Sequence, residues 1–297
     1  MSLVERALKK LQESAQPTAE RAAAPPTRAA GVVQKAPANS AQTQSVEPPS
    51  HIVNIDRGVL REMKLLPPPH LERNIANQYQ QIKRALVAAA GQGSGGVPDG
   101  HLIMLTSALP GEGKTYTSIN LALSLAREKD LDVLLVDADV AKPHISRIFG
   151  VEQERGLLDL LADTQLHADS VILRTNVPGL NLLSAGRRLD TATELLASQR
   201  MQDVVGQLPG RSGRRIVLFD SPPLLLSTES RALVPSVGQV VLIVRAEFTP
   251  QSAVMLALDA AGESRPVSLI LNQSSMTPSD GYYGYGAYGD AAQEAAV

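Results

Sequence analysis

The segment Ala108-Leu-Pro-Gly-Glu-Gly-Lys-Thr115 has the make-up of a phosphate cradle. It follows the apolar run Leu102 to Leu105 and precedes a helical stretch that begins around Ser118. Strand, glycine-bearing loop, Lys-Thr and helix is the context in which such a loop binds phosphate. Gly111 and Gly113 allow the backbone to curl with its N–H groups turned inward, and the helix start adds its positive dipole end. Lys114 is then expected to reach the β- and γ-phosphates of a nucleotide, and the Thr115 hydroxyl to ligate magnesium. Pro110, Glu112 and Tyr116 complete the nucleotide-binding set around them. Ala108 stands where the first glycine of the pattern is usual, at the turn into the loop.

Two further apolar runs end in acid. Leu134-Leu-Val-Asp137-Ala-Asp139 closes one, and Ile216-Val-Leu-Phe-Asp220-Ser-Pro-Pro223 closes another. In an open α/β sheet, ligands sit beyond the carboxyl ends of the strands, which gathers these carboxylates beside the loop. Magnesium takes oxygen ligands and keeps several waters, so Thr115, Asp137, Asp139 and Asp220 form a fitting set. Asp220 has the place of the residue that holds a magnesium-bound water. Asp137 and Asp139, two apart, point the same way from an extended chain. Either is suited to the cation, or to taking a proton from an incoming hydroxyl. A lone Asp after a strand is more often a turn or helix cap, but three in register with such a loop point to catalysis.

The C-terminal stretch Gly281-Tyr-Tyr-Gly-Tyr-Gly-Ala-Tyr288 carries four of the chain's six tyrosines. Interleaved glycines prevent core packing and favour a flexible tail that can reach an active site. Tyr282, Tyr283, Tyr285 and Tyr288 are therefore candidate phosphoacceptors. The competing reading is a low-complexity sticky tail.

The elements that must position these groups are legible as a pattern. The runs HLIML, DVLLV, LNLL, RIVLF, VVLIV and VSLIL alternate with helical stretches, as in a parallel sheet covered on both faces. The fold class expected is α/β, a P-loop NTPase with a mainly parallel sheet flanked by helices. Residues 68–275 form that domain, opening on a helix with Leu71, Ile75, Tyr79, Ile82 and Leu86 along one face. Residues 1–14 place Leu3, Val4, Ala7, Leu8 and Leu11 at helical spacing, a short amphipathic helix that needs something to dock on. Residues 15–67 are expected to be a disordered linker, on the Ala, Pro, Gln, Thr and Ser composition of its first part. Residues 276–297 form the flexible tail.

Composition closes several alternatives. The 28 basic residues against 30 acidic leave a net charge of −2, with no general footprint for nucleic acid. With no cysteine, disulfides and thiolate chemistry are excluded. No apolar run reaches the length of a membrane span, and Glu5, Arg6, Lys9 and Lys10 lie where a signal peptide needs an apolar core.

Taken together, PGEGKT, VDADVAKP, FDSPP, LLSAG…ELLAS (Leu182 to Ser198), VLIVRAEFT (Val241 to Thr249) and LILNQ (Leu269 to Gln273) resemble the bacterial tyrosine kinases. VDADVAKP and the start SLVERALKKL resemble the exopolysaccharide autokinases of bacteria with exosortase systems. The resemblance implies an ATP- and magnesium-dependent protein-tyrosine kinase that modifies its own tail and regulates exopolysaccharide synthesis and export. Asn272 would bond the adenine edge. It further implies a cytoplasmic protein peripheral to the inner membrane. There it would form a homo-oligomer activated by a membrane partner of the polysaccharide chain-length (co-polymerase) type. A partition-type ATPase switch and an ATP-binding scaffold are the alternatives. Leu109 argues against the switch, because those relatives carry a second lysine there. Two departures stand out. Ala141 replaces an arginine usual in the family, and in the Glu-x-x-Arg-x-x-Arg used to pack subunits into a ring Gln78 and Gln81 replace the first two residues, with only the last arginine, Arg84, kept.

Overall fold

Strands rich in Val, Ile and Leu, buried from end to end, need helices on both sides, and that is how this chain folds. A computed structural model of the 297-residue chain describes residues 52–91, 96–210 and 214–274. All of them lie in one unit, Ser45–Val297. In chain order the elements are β1 (Ile52–Val53), α1 (Arg57–Glu62), α2 (Glu72–Ala90), β2 (Leu102–Ser107), α3 (Lys114–Leu125), β3 (Asp132–Asp137), α4 (His144–Ile148) and α5 (Leu157–Ala162). There follow β4 (Leu173–Thr175), β5 (Leu180–Leu183), α6 (Ala192–Leu196), α7 (Gln199–Val205), β6 (Arg215–Asp220), α8 (Thr228–Leu233), β7 (Gln239–Arg245), α9 (Gln251–Ala261) and β8 (Val267–Asn272).

The strands form a single sheet in the order β1-β4-β5-β3-β6-β2-β7-β8. From β5 to β8 every neighbouring pair is parallel. β4 runs antiparallel to β5, and β1 pairs with β4 in parallel. One face packs Met104, Val136, Phe219 and Leu242 under α5 to α9. The other packs Ile103, Leu105, Leu135 and Ile243 under α1 to α4. β2, with the phosphate loop at its end, sits between β6 and β7. Its neighbours therefore bring their own carboxyl ends to the loop.

All six apolar runs are strands. Residues 52–67 depart from the linker expectation: they fold against the sheet. Val53, Ile55, Leu60 and Leu66 are buried there, and Asp56 caps α1 by accepting from Gly58 N (2.7 Å) and Val59 N (3.3 Å). Asn176 Oδ1 also accepts from Ile55 N at 2.9 Å, tying this arm to the loop after β4. The large apolar residues that the linker composition lacked return at Ile52, and they supply the burial that offsets ordering. Leu60→Ala is accordingly expected to cost about 2–5 kcal/mol, read as a lower urea midpoint of the full chain. No loss of stability would show that the arm carries no core weight. Residues 1–51 and 275–297, including the stretch 1–14 expected to be an amphipathic helix and the four tail tyrosines, lie outside the described residues.

The α2 helix buries Tyr79 and Leu86 of its expected apolar face, and it also buries one residue that this pattern does not announce. Lys83 is 3 % exposed, and its ammonium donates to the Glu128 carboxylate and to Ser124 O. Arg84 and Gln81, by contrast, are exposed.

Candidate active site at the carboxyl rim of the sheet

The loop between β2 and α3 is built on two left-handed glycines, Gly111 (φ +80°) and Gly113 (φ +92°). Such values favour glycine, because a Cβ there clashes with the backbone. Pro110 and Gly111 are exposed at the tip, while Glu112 is fully buried. Lys114 and Thr115 open α3, where backbone N–H groups lack intrahelical partners. Burial lowers the Lys114 pKa, while the negative charges of Asp220, Asp139 and Glu112 pull it back up.

Asp220, the last residue of β6, accepts from Thr115 Oγ1 and from Ser118 Oγ, both at 2.8 Å. Burial pushes its pKa up to about 6 against those two hydrogen bonds. Asp137 stands beside it in register on β3. Its Oδ2 accepts from Ser146 N (2.7 Å) and Ser146 Oγ (2.8 Å) at the start of α4. Its Oδ1 is buried with no hydrogen-bond partner. Burial raises the Asp137 pKa to about 7, with the Asp220 charge adding to the effect. Asp139 lies beyond the strand, half-buried, and accepts from Lys142 N at 3.0 Å, which is a turn-capping contact. Burial raises its pKa too. Asp137 and Asp139, expected to act as a pair, thus sit in different surroundings. Ala141 and Lys142 are exposed on the same turn.

These carboxyls give the metal-free, nucleotide-free chain a pH dependence. Each has a folded-state pKa above its ordinary value, so between pH of about 4 and 7 the folded state holds protons that the unfolded chain has released. Stability therefore falls as pH rises through that window, by a few kcal/mol at most. Melting in EDTA at a pH of about 4.5 and about 7.5 measures it, and Asp137→Asn is expected to flatten the slope. A stability that rises with pH across this range would contradict the assignment.

Tyr116 and Gly113 open onto a cavity of about 780 Å³ between α2, the start of α3 and β8, with Asn272 on its wall. Asn272 Nδ2 donates to Glu112 O at 2.8 Å, and its Oδ1 accepts from Gln273 N at 2.9 Å. The structure brings Lys114, Thr115, Asp137, Asp139 and Asp220 to one rim, with Asn272 against the loop. Three side chains of this rim were not singled out from sequence. Ser118 stands three residues after Thr115, on the same helix face, and that spacing could have found it. Ser146 and Thr249 carry no comparable signal.

A protein-family model described as an AAA domain matches residues 100–256, more than half of the chain. The tyrosine-protein kinase YwqD of Bacillus subtilis (strain 168) is 30% identical over 186 residues, 61% of this chain and 77% of YwqD. The solved VpsO kinase domain is 31% identical with a TM-score of 0.56, covering 69% of this chain and 98% of that domain. The chain belongs to the bacterial tyrosine kinase family.

The kinase domain of Escherichia coli tyrosine kinase ETK also superimposes, at 25% identity and a TM-score of 0.57, over 70% of this chain and 80% of that domain. EpsB of Ralstonia solanacearum, named as a candidate tyrosine-protein kinase, is 32% identical over 187 residues, 63% of this chain. That match spans only 24% of EpsB, so the chain covers about a quarter of that relative's length. Among the described residues no helix is long and apolar enough to cross a membrane.

Proposed function

We propose that this chain is a protein-tyrosine kinase that transfers the γ-phosphoryl group of ATP to Tyr282, Tyr283, Tyr285 and Tyr288 of its own tail. The observation that carries the reading is the rim itself. A phosphate loop stands beside Asp220, held by Thr115 and Ser118, and beside Asp137, whose buried Oδ1 has no partner.

That orphaned oxygen and the Thr115–Asp220 pair fit magnesium. Magnesium takes oxygen ligands and keeps several waters, which this hydroxyl and carboxylate set allows. Thr115, Asp220 and Asp137 would hold the ion, directly or through water, with Asp139 beside them. Bound there, magnesium neutralises charge on the β- and γ-phosphates. The chain's own groups do the rest. Lys114 and the loop N–H groups hold the phosphates and absorb charge that develops on them. The tyrosine oxygen forms the new bond to phosphorus as the bond from phosphorus to the β–γ bridging oxygen breaks, and ADP leaves. The phenolic proton passes to solvent, or to Asp137 where that carboxylate is not itself a magnesium ligand.

Each phosphotyrosine adds about −1.5 to −2 charges. Repulsion among four neighbouring ones supports a cycle in which homo-oligomers assemble and come apart. The family resemblance supports a role for that cycle in exopolysaccharide synthesis and export, under a chain-length partner at the cytoplasmic side of the inner membrane. Oligomers of unchanged size after tail phosphorylation would remove the cycle from the proposal.

The test is phosphotyrosine formation by the purified full chain with magnesium and ATP, beside a variant with all four tail tyrosines changed to Phe. Labelled wild type and unlabelled variant support kinase and acceptors together. ATP binding with no phosphotyrosine, even with candidate membrane partners added, overturns the kinase reading in favour of an ATP-binding scaffold. ATP hydrolysis that persists without the tail, again with no phosphotyrosine, points to a switch ATPase.

A further inference from the structure

A loop that must hold a polyphosphate buries a carboxyl group of its own. Glu112 is 0 % exposed, and both its oxygens are engaged. Oε2 accepts from Leu109 N at 2.7 Å, within the loop, and Oε1 accepts from Thr249 Oγ1, outside it. Thr249 Oγ1 in turn accepts from Arg245 N at 3.1 Å, so the hydroxyl is spent inside the turn that follows β7. The backbone of Glu112 is held as well, by Asn272 Nδ2 at the end of β8. Asn272 is itself fixed, because its Oδ1 accepts from Gln273 N and its own carbonyl accepts from Ala246 N at 2.9 Å. Fit at this contact is tight: a Cβ on Gly113 would come within 2.1 Å of Asn272 Nδ2.

Two glycines with positive φ make a loop pliable, since glycine visits many conformations at similar energy. Phosphate binding needs the opposite, N–H groups already aimed before the ligand arrives. The contacts to Glu112 meet that need, and they come from two segments outside the loop, the turn after β7 and the end of β8. We infer that Thr249 and Asn272 are positioning residues that brace the phosphate-binding loop through Glu112. Asn272 thereby acts on the phosphates rather than on the adenine edge. The inference rests on the proposed triphosphate site, and needs no kinase activity to be tested.

The experiment compares full-chain wild type, Thr249→Val, Thr249→Ser and Asn272→Leu by calorimetry, with ATP and with inorganic tripolyphosphate, each with magnesium. Losing one buried hydrogen bond to the loop is expected to weaken binding by about five- to tenfold in the Val and Leu variants. ATP and tripolyphosphate are expected to weaken by the same factor, because both are held by the loop. Thr249→Ser keeps the hydroxyl and is expected to restore most of the affinity. Thermal melting of each unliganded variant within a few degrees of wild type excludes simple unfolding as the cause; Thr249→Val, if it melts far lower, is replaced in the comparison by Glu112→Gln, and Asn272→Leu by Asn272→Ala. Weakened ATP binding with tripolyphosphate unchanged would overturn the inference and make Asn272 a base reader. Unchanged affinity for both ligands would overturn it outright. No triphosphate binding by wild type would overturn this inference and the proposed function together, whereas wild-type binding with no phosphotyrosine would overturn only the kinase reading.

Discussion

Phosphotyrosine formation by Lys114→Met is expected to fall at least about a hundredfold, the scale of losing one well-placed electrostatic stabiliser. The surroundings of Lys114 make the loss larger than removal of one contact suggests. Asp220, Asp139 and Glu112 all place negative charge close enough to act on it. In the wild type the ammonium offsets that charge and leaves the rim able to accept an anion. With methionine in its place, an incoming triphosphate meets carboxyl groups without the compensating cation. Binding is therefore expected to weaken along with turnover, and calorimetry with ATP beside a phosphotyrosine immunoblot separates the two. Labelling equal to wild type would mean that the loop is not the site of transfer.

Gly113→Ala is the second large effect, and Gly111→Ala is its control. Both glycines have positive φ, so each substitution carries backbone strain of about 1–2 kcal/mol. They differ in what a methyl group meets. At Gly111 nothing lies within 4 Å, whereas at Gly113 the new carbon lands on the Asn272 amide. Relief at Gly113 requires Asn272 to leave Glu112 O or the loop to shift, and either move spoils the aim of the N–H groups. Gly113→Ala is expected to reduce ATP affinity at least about a hundredfold, and Gly111→Ala by about tenfold at most. Equal losses in the two would show that φ alone decides, and that the close approach of Asn272 is immaterial.

Much of this was readable from residue order. The long strands announce themselves because they are buried on both faces, and such strands are continuous apolar runs. The loop and its two flanking acids are legible because phosphate and magnesium restrict which residue types can serve. The far edge of the sheet was not. β1 has two residues and β4 three, too few for any period to show, and Pro67, Pro68 and Pro69 separate the first arm from the domain it packs on. Lys83 escaped for another reason. A lysine on a helix reads as solvated, and its burial is offset by Glu128, in the turn after α3, together with Ser124 O. The partners of the site acids were hidden in the same way. Ser146 lies nine residues from Asp137, and Thr249 lies 137 from Glu112. Tertiary folding alone joins them.

Strand direction at the two sheet edges has a consequence for tethering. β1 and β4 run opposite to the other six strands, so the chain comes into β1 from the side on which the phosphate loop lies. It also leaves β8 on that side, directly after Asn272. The two connections are on one rim, with seven inter-strand steps of roughly 4.8 Å between them. Whatever is attached upstream of Ile52 is thus leashed to the half of the molecule that holds the nucleotide site. Any partner engaged there would have a raised effective concentration at the rim that carries the phosphate loop, within a span set by its linker. A partner attached at the opposite ends of the strands would first have to reach round the sheet.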